Sequence, residues 1–218
     1  MQKVQAPQTC YNNLMTTGKI FLSGGGDEQA TYLLDKEFLK EVPLNGEILY
    51  ITTGFREDKR ILHAMEWMQR VIELHGRSDI NFLMLDDLTQ LKHLADYEAI
   101  YIGGGDIDIL MDEFDRTGFE FVLKNYSEHG GTVYGGGGGA IVLGKYIDTI
   151  REVRRKYKTG VELLGKYSVA TSYRQENMDG WAPSHDSFLI CLPEGIGVII
   201  QNGKIIGDAG KSYTVYEH

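Results

Sequence analysis

Cysteine is scarce in this 218-residue chain: two occur, Cys10 and Cys191, with no Cys-x-x-Cys or Cys/His spacing that would supply a zinc site. They read as one free thiol near the N-terminus and one small apolar residue in a late strand. Positive charge is also short, with 22 basic residues against 31 acidic ones and a net charge of −9, which opposes binding along a phosphate backbone. No nucleic-acid partner is expected. No run of 18 apolar residues appears, and Met1 to Gly18 is polar without an apolar h-region, so the expectation is no membrane span and a soluble, cytoplasmic protein. No Gly-Lys-Ser/Thr follows a glycine cluster, which excludes a P-loop.

What is present is length enough for one large α/β domain with a substantial core. Residues 1–18 are expected to be an N-terminal lead or extra strand, and residues 19–218 a single domain. From Lys19 onward, short apolar runs that end in glycine or small polar residues alternate with segments of helical period, the pattern of βαβ units and a parallel sheet. Strands are predicted at Ile20 to Ser23, Ile48 to Thr52, Asn81 to Leu85, Ala99 to Ile102 and Thr132 to Tyr134. Helices are predicted at Glu28 to Leu39, Asp58 to His75, a short one near Leu88 to Leu94, and Ile107 to Tyr126. In the second helix Ile61, Met65, Met68 and Ile72 recur at spacings of three and four, which reads as a core stripe.

After Gly144 the texture changes. A charged segment, Lys145 to Lys158, precedes short strand-like runs at Ser168 to Thr171, Phe188 to Leu192, Val198 to Gln201, Lys204 to Ile206 and Tyr213 to Tyr216. Asn202-Gly203 is a two-residue hairpin signal. These late strands, with antiparallel character, are expected to extend the same sheet.

Three glycine clusters, Gly24 to Gly26, Gly103 to Gly105 and Gly135 to Gly139, each follow a predicted strand and precede a helix. In open parallel sheets such strand ends line the crevice where ligands bind, and glycine leaves backbone N–H groups open to an anion. The third cluster has the outline of a nucleophile elbow, Gly-x-nucleophile-x-Gly, with Gly135 and Gly139 as the outer glycines. The nucleophile position is then Gly137, which carries no hydroxyl or thiol. The same run satisfies Gly-x-Gly-x-x-Ala, but a dinucleotide fingerprint sits at the first strand-to-helix turn with an acidic residue about 20 positions on, and this one lies on the fifth strand.

Four ordered features carry a resemblance: Tyr101-Ile-Gly-Gly-Gly-Asp106, Arg116-Thr-Gly-Phe119, Tyr134-Gly-Gly-Gly-Gly-Gly-Ala-Ile141 and Leu192-Pro-Glu-Gly195. With these the chain resembles the peptidase E and cyanophycinase family of serine peptidases. The resemblance implies a class I glutamine amidotransferase-like (flavodoxin-like) fold: three layers, a mostly parallel central sheet with helices on both faces, and late antiparallel strands. The family elbow usually reads Gly-x-Ser-Ala-Gly-Ala, which aligns Gly137 with the nucleophile. The stretch Tyr167 to Tyr173 aligns Ser172 with the family histidine, and Glu194 with the third member. Two of three catalytic side chains are thus substituted. Where the family commonly has Asn and a hydroxyl residue after its three glycines, this chain has Asp106 and Ile107.

The backbone N–H of Gly138 and one from Gly104 or Gly105 need no side chain to form an oxyanion-hole-like pocket. Asp106 and Arg174 are candidate ligand contacts, although Asp106, Asp108 and Asp112 equally suit capping and dipole compensation at a helix start. Of the histidines, His63, His75 and His93 lie on or near helices remote in order from the elbow, and His129 is expected at the opposite end of the sheet. His185 is the one candidate for a substitute base, more readily a solvated loop residue. The expectation is therefore a catalytically degenerate peptidase E-like chain with a pocket for a small carboxylate or peptide-like ligand. It would need no cofactor or metal, and could form a homodimer. Two alternatives stand beside it: an active serine peptidase whose serine at position 137 was replaced by design, and a phosphate- or nucleotide-binding module.

Overall fold

The computed structural model describes residues 17–149, 155–172, 186–210 and 212–217. Ten strands and five α-helices follow in the order β1 (Ile20–Ser23), α1 (Tyr32–Leu39), β2 (Glu47–Ile51), α2 (Asp58–Leu74), β3 (Asn81–Leu85), β4 (Ala99–Ile102), α3 (Ile107–Thr117), α4 (Phe119–Glu128), β5 (Thr132–Gly136), α5 (Gly138–Val142), β6 (Tyr167–Thr171), β7 (Phe188–Leu192), β8 (Gly197–Gln201), β9 (Lys204–Ala209) and β10 (Thr214–Tyr216). Of the expected N-terminal lead, Met1 to Thr16 lie outside the described residues, as do Cys10, Arg174, Trp181 and His185. Among the described residues no helix is long and apolar enough to cross a membrane.

The main sheet has seven strands in the order β3-β2-β4-β5-β1-β8-β9. The first five are parallel, and β8 and β9 add to the β1 edge in antiparallel fashion. Side chains alternate along every central strand. Leu22, Ile51, Ile102 and Val133 face one core with α3, α4 and α5, while Phe21, Tyr50, Tyr101 and Tyr134 face another with α1 and α2. Period-two alternation with both faces apolar is what a sheet covered on both sides requires.

Four expectations need correction. The late strands do not all extend the main sheet: β6, β7 and β10 form a separate three-stranded sheet in the order β10-β7-β6. The place beside β1 is taken by β8, and Tyr167, Val169, Ile190 and Leu192 instead join the core on the α5 face. The helix expected from Ile107 to Tyr126 is two helices, because Gly118 adopts φ 68° and its left-handed backbone ends α3. The first helix begins at Tyr32 rather than Glu28, since the Asp27 carboxylate accepts from the N–H groups of Gln29 (3.1 Å) and Ala30 (2.8 Å) and closes a separate turn. The short helix near Leu88 to Leu94 is two 3-10 turns, Leu88–Gln90 and Leu94–Asp96.

The α2 stripe is also displaced. Ala64, Met68, Val71 and Ile72 are its buried residues, with Ile61 and Met65 only half-buried. The hairpin signal does hold: Asn202 (φ 51°) and Gly203 (φ 66°) both take positive φ between β8 and β9. Cys191 is fully buried in β7, and burial pushes its thiol up to about 12.

One row of rings crosses four neighbouring strands on the α1/α2 face. Tyr50 pairs in register with Tyr101, Tyr101 with Tyr134, and Tyr134 with Phe21. Their ring centroids lie 4.7, 4.4 and 6.4 Å apart. Beneath the row, the Tyr134 hydroxyl donates to Asp35 Oδ1 at 2.8 Å and Thr31 Oγ1 donates to Oδ2 at 2.6 Å. Asp35 is 1% exposed, and burial raises its pKa from 3.8 to about 6 against the opposing pull of those two hydrogen bonds.

The native state therefore holds the Asp35 proton more tightly than the unfolded chain does. This contribution to stability is fully present below about pH 4 and is lost as the pH rises through about 6. Asp35→Asn, which does not titrate, should gain on the wild type by roughly 2 kcal/mol between pH 4 and pH 7. Urea unfolding of both proteins at a series of pH values measures this, and parallel curves would refute it.

Candidate functional site

The three glycine clusters meet at the C-terminal ends of β1, β4 and β5. At the third, β5 turns sharply into α5 through Gly137, whose φ of 53° and ψ of −114° lie where side-chain-bearing residues are strained. The turn is tied on both sides. Gly137 N–H donates to the Ser23 carbonyl at 3.0 Å, and the Gly137 carbonyl accepts from Ala140 at 3.0 Å.

The glycines of this run are needed for different reasons. A Cβ on Gly135 would stand 2.8 Å from the Ala140 backbone, and one on Gly139 would stand 2.2 Å from the Ile102 carbonyl oxygen. Backbone cannot retreat from either. A Cβ on Gly137 would meet nothing within 4 Å. Gly135 and Gly139 are thus fixed by contact, while the position between them, Gly137, has open space where a side chain would stand.

The loop after β4 lies directly against this turn. A Cβ on Gly104 would be 3.7 Å from Gly138 N, and one on Gly138 would be 3.5 Å from Gly105 N. As the first residue of α5, Gly138 has no acceptor for its N–H within the helix. The β4 loop is itself held by the loop after β2, since Asp106 N–H donates to the Gly54 carbonyl at 2.9 Å and Gly103 N–H to that of Ile51 at 3.0 Å.

Glu194 lies in the turn between β7 and β8, and two backbone hydrogen bonds bind that turn to the first glycine cluster. Gly195 N–H donates to Gly25 at 2.8 Å, and Gly24 N–H donates to Ile196 at 2.8 Å. The Glu194 Cγ is 3.3 Å from where a Cβ on Gly26 would sit. Ser172, which the resemblance led one to expect at the family's histidine position, is exposed just beyond β6 with φ 55°.

The Asp106 side chain is committed to capping. One carboxylate oxygen accepts from the N–H groups of Asp108 (3.0 Å) and Ile109 (3.3 Å), and the other pairs with Arg56 at 3.2 Å. Asp108 accepts from Lys156 N–H at 3.1 Å, and Asp112 from Lys156 Nζ and from the Tyr157 hydroxyl at 2.6 Å. The acidic start of α3 thus receives the end of the basic run.

A cavity of about 480 Å³ opens beside Gly137, lined by residues of all three clusters: Gly25 and Gly26, Gly104, Gly136 and Gly137. Its remaining wall is aromatic, from Tyr50, Phe55, Trp67 and Tyr101, with Lys59, Arg60 and His63 of α2 also contributing. Sequence order set His63 aside, yet it lines the same cavity as Gly137, because α2 runs across the strand ends on the α1/α2 face. Two signals pointed to this wall. Arg60, His63, Ala64 and Trp67 recur at helical spacing after the second strand, and a tyrosine recurs near the end of β2, β4 and β5. His129 is at the far end of β5 as expected, its Nδ1 2.8 Å from the Asn125 carbonyl.

Because Gly139 is wedged against β4 backbone, Gly139→Ala should cost about 2–3 kcal/mol. Denaturant unfolding should show this as a lower midpoint at unchanged slope.

With this geometry in view, the chain can be placed among known proteins. A search of curated proteins matched none. Among solved structures, a peptidase from an acI-B1 Actinobacterium is similar at 18% identity and a TM-score of 0.66, over 93% of this chain and 95% of that one. A putative peptidase E protein from Listeria monocytogenes EGD-e is similar at 16% identity and a TM-score of 0.68, over 90% of this chain and 100% of that one. The model of Peptidase family S51 matches residues 20–214, and the chain belongs to that family.

Proposed function

We propose that this chain is a non-hydrolysing member of its peptidase family, which uses the backbone of the elbow to hold a small carboxylate or peptide-like ligand. The observation that carries this reading is Gly137: it keeps strained elbow dihedrals in front of open space and offers no nucleophile there. Acyl transfer by this route requires a side chain that attacks and a base that takes its proton. Glycine at 137 removes the first, and serine at 172, taken from the resemblance as the histidine position, removes the second.

What remains is electrostatic. Gly138 N–H at the start of α5, with Gly104 and Gly105 beside it, suits the oxygen of a carboxylate or peptide carbonyl. Glu194, held against Gly26, is the retained third member. Loss of a triad's nucleophile or base lowers the rate by on the order of 10⁴ to 10⁶, and backbone donors alone give about 10³ to 10⁴ over water. That residue of activity falls far short of a peptidase.

The wild-type chain should release no amino acid from aspartyl dipeptides or a cyanophycin-type polymer beyond a Glu194→Ala control, and turnover well above that control would sink the reading. Gly137→Ser should fold with a loss of about 1–3 kcal/mol, the strain of placing a side chain at these dihedrals. Alone it should remain inactive, and hydrolysis should emerge only with Ser172→His added. Full activity from the single change would mean that the general base was never lost.

A further inference from the structure

The cavity beside Gly137 is built differently from a site for a short acidic side chain. Its wall carries four aromatic rings, those of Tyr50 and Tyr101 from the sheet, Phe55 from the loop after β2 and Trp67 from α2. A carboxylate pushed among them would lose its water without a charged partner at depth. A flat ring placed there would instead bury large apolar area and find edges and faces to pack against.

Two further observations narrow the ligand. In a chain of net charge −9, no aspartate or glutamate lines this cavity among the described residues, while Lys59, Arg60 and His63, all exposed, do. Such a field draws an anion to the mouth. Trp67 meets the cavity with its ring, since its indole Nε1 is itself buried out of reach of solvent. About 480 Å³ is ample for a single ring with a short polar tail.

We propose that this cavity binds an aromatic carboxylate, of which an N-acylated aromatic amino acid is the simplest form. Its ring lies against the aromatic wall, and its acid group reaches the glycine notch at Gly104 and Gly138. The inference rests on the elbow holding a ligand rather than cleaving one, and it adds the class of that ligand.

Isothermal titration of the full chain with N-acetylphenylalanine, N-acetylaspartate and N-acetylphenylalaninamide tests it. A Trp181→Phe background leaves Trp67 as the sole tryptophan, since the chain has 2, and excitation selective for indole reads it alone. N-acetylphenylalanine should bind at least about 10-fold more tightly than the other two and change the Trp67 emission, a difference within reach of one well-placed charge or ring. Ala64→Leu, which fills the cavity from α2, should weaken it by about 10-fold or more. Trp67→Leu, which removes a ring from the wall, should weaken it several-fold by calorimetry and serves as the second variant if Ala64→Leu unfolds.

The proposal is overturned if N-acetylaspartate or the amide binds as tightly as the acid. It is equally overturned if neither variant alters the affinity, or if the folded wild type binds none of the three probes. Dipeptide turnover with N-acetylphenylalanine binding intact would sink the non-hydrolysing reading alone, so the two fail separately.

Discussion

The site depends on backbone packed against backbone where the strand-end loops meet. A Cβ on Gly24 would lie 2.0 Å from the Pro193 carbonyl oxygen, one on Gly105 2.3 Å from that of Gly54, and one on Gly139 2.2 Å from that of Ile102. Each of these pairs joins two different loops or strands, and no side chain can be inserted between them. The loops after β1, β2 and β4, the turn carrying Glu194 and the turn after β5 are therefore held in one arrangement largely by main chain. This is why the turn through Gly137 keeps its shape without any side chain at that position.

Beneath that layer the aromatic row ties the cavity to the core. Tyr50 and Tyr101 belong both to the row and to the cavity wall, while Tyr134 continues the row inward to Asp35. The buried carboxyl is satisfied by two hydroxyls, which makes its burial tolerable, yet its pKa near 6 records that desolvation still outweighs those hydrogen bonds. Thr31 lines the cavity and donates to the same carboxyl, so the charge state of Asp35 lies one hydrogen bond from the cavity.

Much of the fold was legible because a parallel sheet writes itself as short apolar runs ending in glycine. The positions of β1 and β4 follow from such runs, those of β3 and β7 from apolar runs that end at Asp86 and Pro193, and the hairpin from Asn202-Gly203. The break at Gly118 was not legible, since a glycine inside an amphipathic stretch is compatible with a continuous helix until packing selects the left-handed backbone. Nor was the separate sheet of β6, β7 and β10 legible. Strand sequences state that they pair, and which edge is free to receive them depends on β8 already occupying the place beside β1.

The sequence by itself determined what position 137 cannot supply. A glycine at position 137 between Gly135 and Gly139 can supply no nucleophile whatever surrounds it, because reactivity of that kind resides in a side chain. Tertiary structure alone decided what lies in front of the glycine. Tyr50, Phe55, His63, Trp67 and Tyr101 come from separated segments whose shared wall exists only once α2 lies across the strand ends. Their spacing encodes helix and strand, but the cavity they enclose is a property of how those elements pack.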